Sequence, residues 1–323
     1  MSSPSVHHPS IWPVELSRED ALKITGFKQA ILDDYLALLQ REQISHHDEM
    51  IEQLERLYLP MAIWIAEKHT DVPLIFGING AQGSGKSTLC KILGLLLSRI
   101  CNKRVVSFSI DDLYKTREQR QQLAATVHPL LATRGVPGTH DVDLGCAIIN
   151  QLKQSADRPV LIPVFNKAID DRAAEDQWQV IDTAVDIILF EGWCVGAQPE
   201  PLLALQPAIN RLEAEEDRDA RWRYFVNQQL ADEYQQLFSL IDYLVMLKVP
   251  AMASVFEWRY LQEQKLAEVN DVEDHRLMDE KGIRRFIMHY ERITRHLLEE
   301  LPQRADLVLY LNQQHQVDRV SIA

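Results

Sequence analysis

The chain has 323 residues, which at roughly 150 residues per domain leaves room for two domains, or one large domain with an appended segment, and for a sizeable core. Its 46% hydrophobic and 25% charged residues lie at the globular average, and 12 Gly with 14 Pro are too few for a collagenous or low-complexity chain. A net charge of −13 repels nucleic-acid phosphates, and no apolar run approaches the ~20 residues needed to cross a bilayer, so neither a nucleic acid nor a membrane is expected as partner.

Residues 1–12 carry two His, two Pro and no Lys or Arg, so they read neither as a signal peptide nor as a transit peptide. Cys90, Cys101, Cys146 and Cys194 are scattered, without a C-x-x-C pair, and read as small buried hydrophobes in a reducing compartment. The expected location is the cytoplasm. Oligomeric state is not specified by the sequence.

Residues 16–70 read as helical. Ser17 and Ser45 stand three positions before Asp20 and Asp48, the spacing of a helix cap. Ile51, Leu54, Tyr58, Met61 and Ile65 form a helical stripe that Pro60 is expected to kink or interrupt. The expected division is an N-terminal helical extension over 1–70 and a main domain over 71–323.

From residue 72, β-rich runs at 73–79, 104–110, 160–164, 184–190, 243–247 and 306–311 alternate with segments of helical length at 86–99, 141–154, 203–238, 253–269 and 279–300. This alternation predicts an α/β fold, a doubly wound and mostly parallel sheet with helices on both faces. Residues 126–140, which contain Gly135-Val136-Pro137-Gly138, and 204–238, which contain the charged run 211–223, are expected as lid or substrate segments.

Residues Gly80-Ala81-Gln82-Gly83-Ser84-Gly85-Lys86-Ser87 match the P-loop pattern in full, after a strand and before a helix. Its glycines let the main chain curl into a nest of inward N–H groups, and the helix N-terminus adds partial positive charge, so the backbone itself holds a polyanion. Lys86 reaches the β- and γ-phosphates, and Ser87, with Thr88 beside it, offers a hydroxyl to Mg²⁺. The expected ligands are ATP and Mg²⁺, bound by residues 80–88.

The guanine-reading pattern N-K-x-D is missed at Asn166-Lys167-Ala168-Ile169, which argues against a GTPase switch. A small-molecule kinase needs an acid to act on the acceptor hydroxyl and another near the magnesium. The run 105–110 ends in Asp111-Asp112-Leu113-Tyr114, and one of these two carboxylates is the expected general base. The run Asp186-Ile187-Ile188-Leu189-Phe190 ends in Glu191, a Walker B-like acid able to reach magnesium through water or to orient the acceptor. Parallel strands deliver all these ends to one edge of the sheet.

Taken together, these segments resemble the P-loop D-glycerate 3-kinases of plant and fungal type, within the phosphoribulokinase, uridine kinase and pantothenate kinase superfamily. The similarity runs from about residue 57 to 311. It includes Arg134-Gly135-Val136-Pro137-Gly138-Thr139-His140-Asp141, Pro163-Val164-Phe165-Asn166-Lys167, Phe190-Glu191-Gly192-Trp193, Trp222-Arg223 and Phe256-Glu257-Trp258-Arg259. The resemblance places the base at Asp111. The family usually has an acid where this chain has Asn166, and residues 170–175 replace a Gly-rich stretch.

An acidic protein must hold an anionic acceptor with local cations. Arg134, His140, Lys167 and Arg259 are the candidates, with Asp112 and Tyr114 beside them and Arg221 and Arg223 as lid residues toward the γ-phosphate. Arg259 and Glu263 stand one helical turn apart, so a surface ion pair is the plainer role for that arginine. The expected reaction is γ-phosphoryl transfer to a hydroxyl of a small anionic acceptor, D-glycerate first. Pantothenate or a nucleoside as acceptor, or an ATPase or ATP sensor regulating a partner, are the alternatives.

Overall fold

A computed structural model describes residues 11–13, 18–44, 47–154, 158–269 and 279–323. The caps expected at Ser17 and Ser45 lie outside them. The first elements are α1 (Arg18–Arg41), α2 (His47–Gln53) and α3 (Leu59–Lys68), the last two joined by one π turn, Leu54–Tyr58. Pro60 explains that turn. It has no N–H to give to the carbonyl four residues back, and the widened turn before it, closed by Leu59 N–H on the Leu54 carbonyl, carries the helix past it unbroken.

The body then alternates strands and helices. β1 (Leu74–Gly80) leads into α4 (Lys86–Arg99), and β2 (Val105–Ser109) into α5 (Arg117–Thr126) and α6 (Val142–Lys153). Four short strands follow, β3 (Val160–Ile162), β4 (Phe165–Asn166), β5 (Asp171–Arg172) and β6 (Gln179–Ile181), and then β7 (Ile187–Gly192). Helices α7 (Arg211–Glu216), α8 (Arg221–Ala231) and α9 (Glu233–Phe238) precede β8 (Tyr243–Lys248). The chain closes with α10 (Met252–Val269), α11 (Glu280–Glu300), β9 (Leu307–Leu311) and β10 (Val317–Ile322).

Six strands form the central sheet in the order β10-β9-β8-β1-β7-β2, all parallel except β10 at the edge. Successive side chains leave a strand on opposite faces, so a sheet covered on both sides needs apolar residues throughout. Ile188, Phe190 and Met246 pack with α6, α8, α9 and α11, while Phe76, Leu189 and Val245 pack with α1, α3, α4 and α10. The N-terminal helices are thus a layer against the sheet, sharing its core.

Three expectations change. The run 160–164 is not a central strand: β3 pairs antiparallel with β6 in a separate ribbon, because Leu161 faces solvent while its neighbours are buried. The edge strand β10 was not predicted, although Val317 and Val320 face inward and Asp318 and Arg319 outward. The single segment 203–238 breaks into a 3₁₀ turn and three helices, with Ala220 at φ +63° ahead of α8.

That segment is also bolted down. On α11, Arg292 forks onto Glu213, with both N–O distances 2.7 Å, and donates to the Ala204 and Pro207 carbonyls. Glu213 is fully buried. Replacing Arg292 by Met leaves that carboxylate unpaired, at a cost of about 3–5 kcal/mol. The urea midpoint should fall accordingly and recover in part in the Arg292→Met, Glu213→Leu double variant; an unchanged midpoint in the single variant contradicts this.

Candidate active site

The P-loop joins β1 to α4. Gly83 and Gly85 hold φ at +76° and +91°, a region side chains rarely enter, and a Cβ on Gly83 would press on Trp258 Cβ at 3.1 Å. Lys86 Nζ folds back onto the Ala81 carbonyl at 3.2 Å. Among the described residues, Ser84 Oγ and Gln82 Oε1 are buried without a hydrogen-bond partner, polar atoms left over for a ligand. Ser87 Oγ donates to Glu191 Oε1 at 2.7 Å, whereas half-buried Thr88 lies one position further along α4.

Strand register brings Glu191 there. It lies between Ile78 of β1 and Ser109 of β2, which sets it beside the cradle and beside the turn that carries Asp111. It is buried, and among the described residues no Lys or Arg forms an ion pair with it. A carboxylate and a hydroxyl, both hard oxygen donors, fit a magnesium ion.

Asp111 sits in a 3₁₀ turn capped by Ser109. Its Oδ2 meets Lys167 Nζ at 2.7 Å and its Oδ1 accepts from Tyr114 OH at 2.8 Å. Burial opposes its charge, yet Lys167 and the Tyr114 hydrogen bond hold the carboxyl down at about 2. Asp112 differs: burial pushes it up to about 6, against the N–H groups of Ser109 and Phe165 that it accepts at 3.0 and 3.4 Å. Its carboxylate ties the turn to β4, so it caps and tethers where substrate contact was expected.

Lys167 stands at the tip of the β4–β5 hairpin, its side chain largely exposed apart from Asp111. Asn166 shapes that tip, accepting the N–H groups of Ala168 and Ile169. Arg134 pairs with Asp170 and lies 5.4 Å from the Phe165 ring centre. Arg259 is paired with Glu263 at 2.6 Å, but the pair is largely buried, not a surface one, and its backbone lies against the P-loop at Gly83.

Two cation assignments need correction. His140 is completely buried, and desolvation lowers its pKa to about 3, so it is a neutral imidazole at pH 7 and no counter-ion for a carboxylate. Arg223 is buried with every guanidinium nitrogen engaged by Asp217 and the carbonyls of Leu205, Gln206 and Asp217, which removes it as a free lid cation. Arg221 is exposed at the start of α8. The stretch 126–140 is anchored at Ala132, whose carbonyl accepts from buried Arg120, as do the carbonyls of Lys115 and Asp170.

Sequence reasoning missed Tyr234, whose hydroxyl meets His140, and Asp170, which holds both Arg120 and Arg134. Tyr234 lies in an apolar stripe with Leu230, Leu237 and Phe238, so its polar tip gave no signal. Among the described residues no helix is long and apolar enough to cross a membrane.

A phosphate nest opening a helix, a buried glutamate on its serine and a cation-paired aspartate on the same sheet edge define a P-loop phosphotransferase. No family model matches the chain. A kinase of Schizosaccharomyces pombe, mug58, described as uncharacterized, is 36% identical over 231 residues, covering 68% of this chain and 78% of that protein. The chloroplastic D-glycerate 3-kinase of Arabidopsis thaliana is 29% identical over 230 residues, 65% of this chain, which spans only 48% of that relative. The solved D-glycerate 3-kinase from Cryptococcus neoformans shares the fold, with TM-score 0.66 at 22% identity over 82% of this chain and 97% of that one. The chain belongs to the plant and fungal type of P-loop kinases that includes D-glycerate 3-kinase.

His140 yields a stability test. Its pKa is lowered on folding from 6.5 to about 3, so below pH 6.5 the unfolded chain binds the proton and the folded one does not. The contribution is present above 6.5 and is lost as pH falls toward about 3. Urea midpoints measured across that window should fall less steeply for His140→Gln than for the parent chain; identical slopes contradict the buried neutral ring.

Proposed function

We propose that the chain is a cytoplasmic kinase that transfers the γ-phosphoryl group of ATP, with Mg²⁺, to a hydroxyl of a small anionic acceptor, D-glycerate first. The observation that carries this reading is the 2.7 Å contact between Lys167 Nζ and Asp111 Oδ2. A base and a cation in contact fit an acceptor whose hydroxyl and carboxylate lie a few carbons apart, which is the shape of a hydroxy acid. The name of the Arabidopsis relative supports glycerate within that class.

The nest and Lys86 hold the triphosphate by its β- and γ-phosphates. Ser87 and Glu191 would hold Mg²⁺, which supplies charge neutralisation at the phosphates. The acceptor carboxylate draws Lys167 off Asp111, with Arg134 beside it as a second cation. Asp111, partly buried and no longer neutralised, becomes the stronger base and takes the hydroxyl proton. The acceptor oxygen bonds to the γ-phosphorus, the bond to the β-phosphate oxygen breaks, and ADP leaves. Tyr114 keeps the Asp111 carboxylate aimed. Positioning and charge stabilisation supply most of the rate.

An ADP-release assay over hydroxy acids, pantothenate and nucleosides tests this. D-glycerate should stimulate release; equal release without acceptor points to an ATPase, and stimulation by pantothenate or a nucleoside alone overturns the acceptor. Lys86→Ala should abolish turnover with the fold intact. Lys167→Met should raise KM for D-glycerate about 10- to 100-fold, the worth of a charge-assisted hydrogen bond, with KM for ATP unchanged. Because Lys167 lowers the Asp111 pKa, the same variant should move the acid limb of kcat/KM to higher pH; an unmoved limb contradicts Asp111 as base.

A further inference from the structure

Against Tyr114, the residue that holds Asp111, lies a buried polar atom with no partner among the described residues. The His140 ring stacks on Tyr114, centroids 4.5 Å apart and planes at 22°, and Tyr114 is the residue whose hydroxyl holds Asp111. The ring has no exposed surface, yet its Nε2 makes no hydrogen bond among the described residues. Leaving such a group unpaired costs about 1–3 kcal/mol, so a ligand oxygen reaching it would relieve an existing penalty.

The other ring nitrogen fixes which proton His140 carries. Its Nδ1 lies 2.6 Å from Tyr234 OH, and the same oxygen accepts the Gly138 N–H at 3.0 Å. Tyr234 has one proton to give. With its oxygen already accepting from the backbone, that proton points to Nδ1, which makes Nδ1 the acceptor and leaves the imidazole hydrogen on Nε2. Protonating the ring would turn Nδ1 into a second donor facing the Tyr234 proton, in a site where burial already opposes charge.

We propose that His140 presents a neutral Nε2–H donor to an oxygen of the acceptor substrate beside Asp111, and that Tyr234 is the positioning residue that fixes this tautomer. The inference rests on the acceptor reading given above and deepens it. An imidazole kept neutral binds a hydroxyl or carboxylate oxygen without adding a positive charge next to the base, whose carboxylate would be stabilised by it and weakened. The charged neighbours are Asp111, Lys115, whose Nζ donates to the His140 carbonyl at 2.8 Å, and Lys167 on Asp111.

The test uses the full-length chain labelled with ¹⁵N-histidine. Long-range ¹⁵N–¹H correlation should show the His140 proton on Nε2 alone, unchanged between pH 8 and about 5, and that proton should shift when D-glycerate is added with ADP and Mg²⁺. Tyr234→Phe should give a mixture of tautomers and raise acceptor KM about three- to tenfold, the worth of one neutral hydrogen bond, with KM for ATP constant. As a check on packing, His140→Gln, which keeps an N–H donor near the Nε2 position, should retain more acceptor affinity than His140→Leu. A proton on Nδ1, or a parent enzyme that phosphorylates glycerate while the Nε2–H signal stays unmoved, overturns the proposal. Absence of any acceptor-stimulated turnover in the parent chain overturns the acceptor reading itself, and the tautomer spectrum distinguishes that failure from this one.

Discussion

The register of three parallel strands governs the site. Backbone ladders between β1, β7 and β2 set Glu191 opposite Ile78 on one side and Ser109 on the other, so the phosphate nest, the Glu191 carboxylate and the Asp111 turn emerge side by side. A one-residue slip of β7 would turn Glu191 to the other face of the sheet and bring Phe190 to the edge. Burial on both faces enforces the register, since a slip would exchange the residues packed under the two helical layers.

Charge is handled locally. With 47 acidic against 34 basic side chains, the molecule offers no long-range attraction to an anionic substrate, and the cations that matter are held close to named acids. Arg134 is held by Asp170, Arg259 by Glu263 and Lys167 by Asp111. The first two pairs fix their arginines in place. The third joins an exposed lysine to Asp111, and in the proposed function an incoming carboxylate competes with Asp111 for that cation. In the proposed function, acceptor binding and activation of the base are one event, which would limit turnover when the acceptor is missing.

Much of this was legible in the sequence because it is local. The P-loop occupies eight consecutive residues, and Asp111 and Glu191 each end an apolar run whose strand character is plain. Helices α4, α6, α10 and α11 fall in the segments of helical length that separate the strand-like runs. What was not legible depends on partners far along the chain. Nothing around His140 tells that a tyrosine 94 residues later takes its Nδ1 and that burial keeps it neutral. Arg223 sits in a charged run that looks solvated, and only the fold reveals Asp217 and two carbonyls closing over it. The run 160–164 has strand composition, but with one face exposed it belongs to a separate two-stranded ribbon and not to the central sheet.

The most direct measurement is a crystal structure of the chain with ADP, Mg²⁺ and D-glycerate. The account predicts the glycerate carboxylate on Lys167, a glycerate hydroxyl on the Asp111 carboxylate facing the phosphate nest, and the Lys167–Asp111 contact broken. Glycerate bound elsewhere, or lying in this pocket with Lys167 still on Asp111, would contradict it.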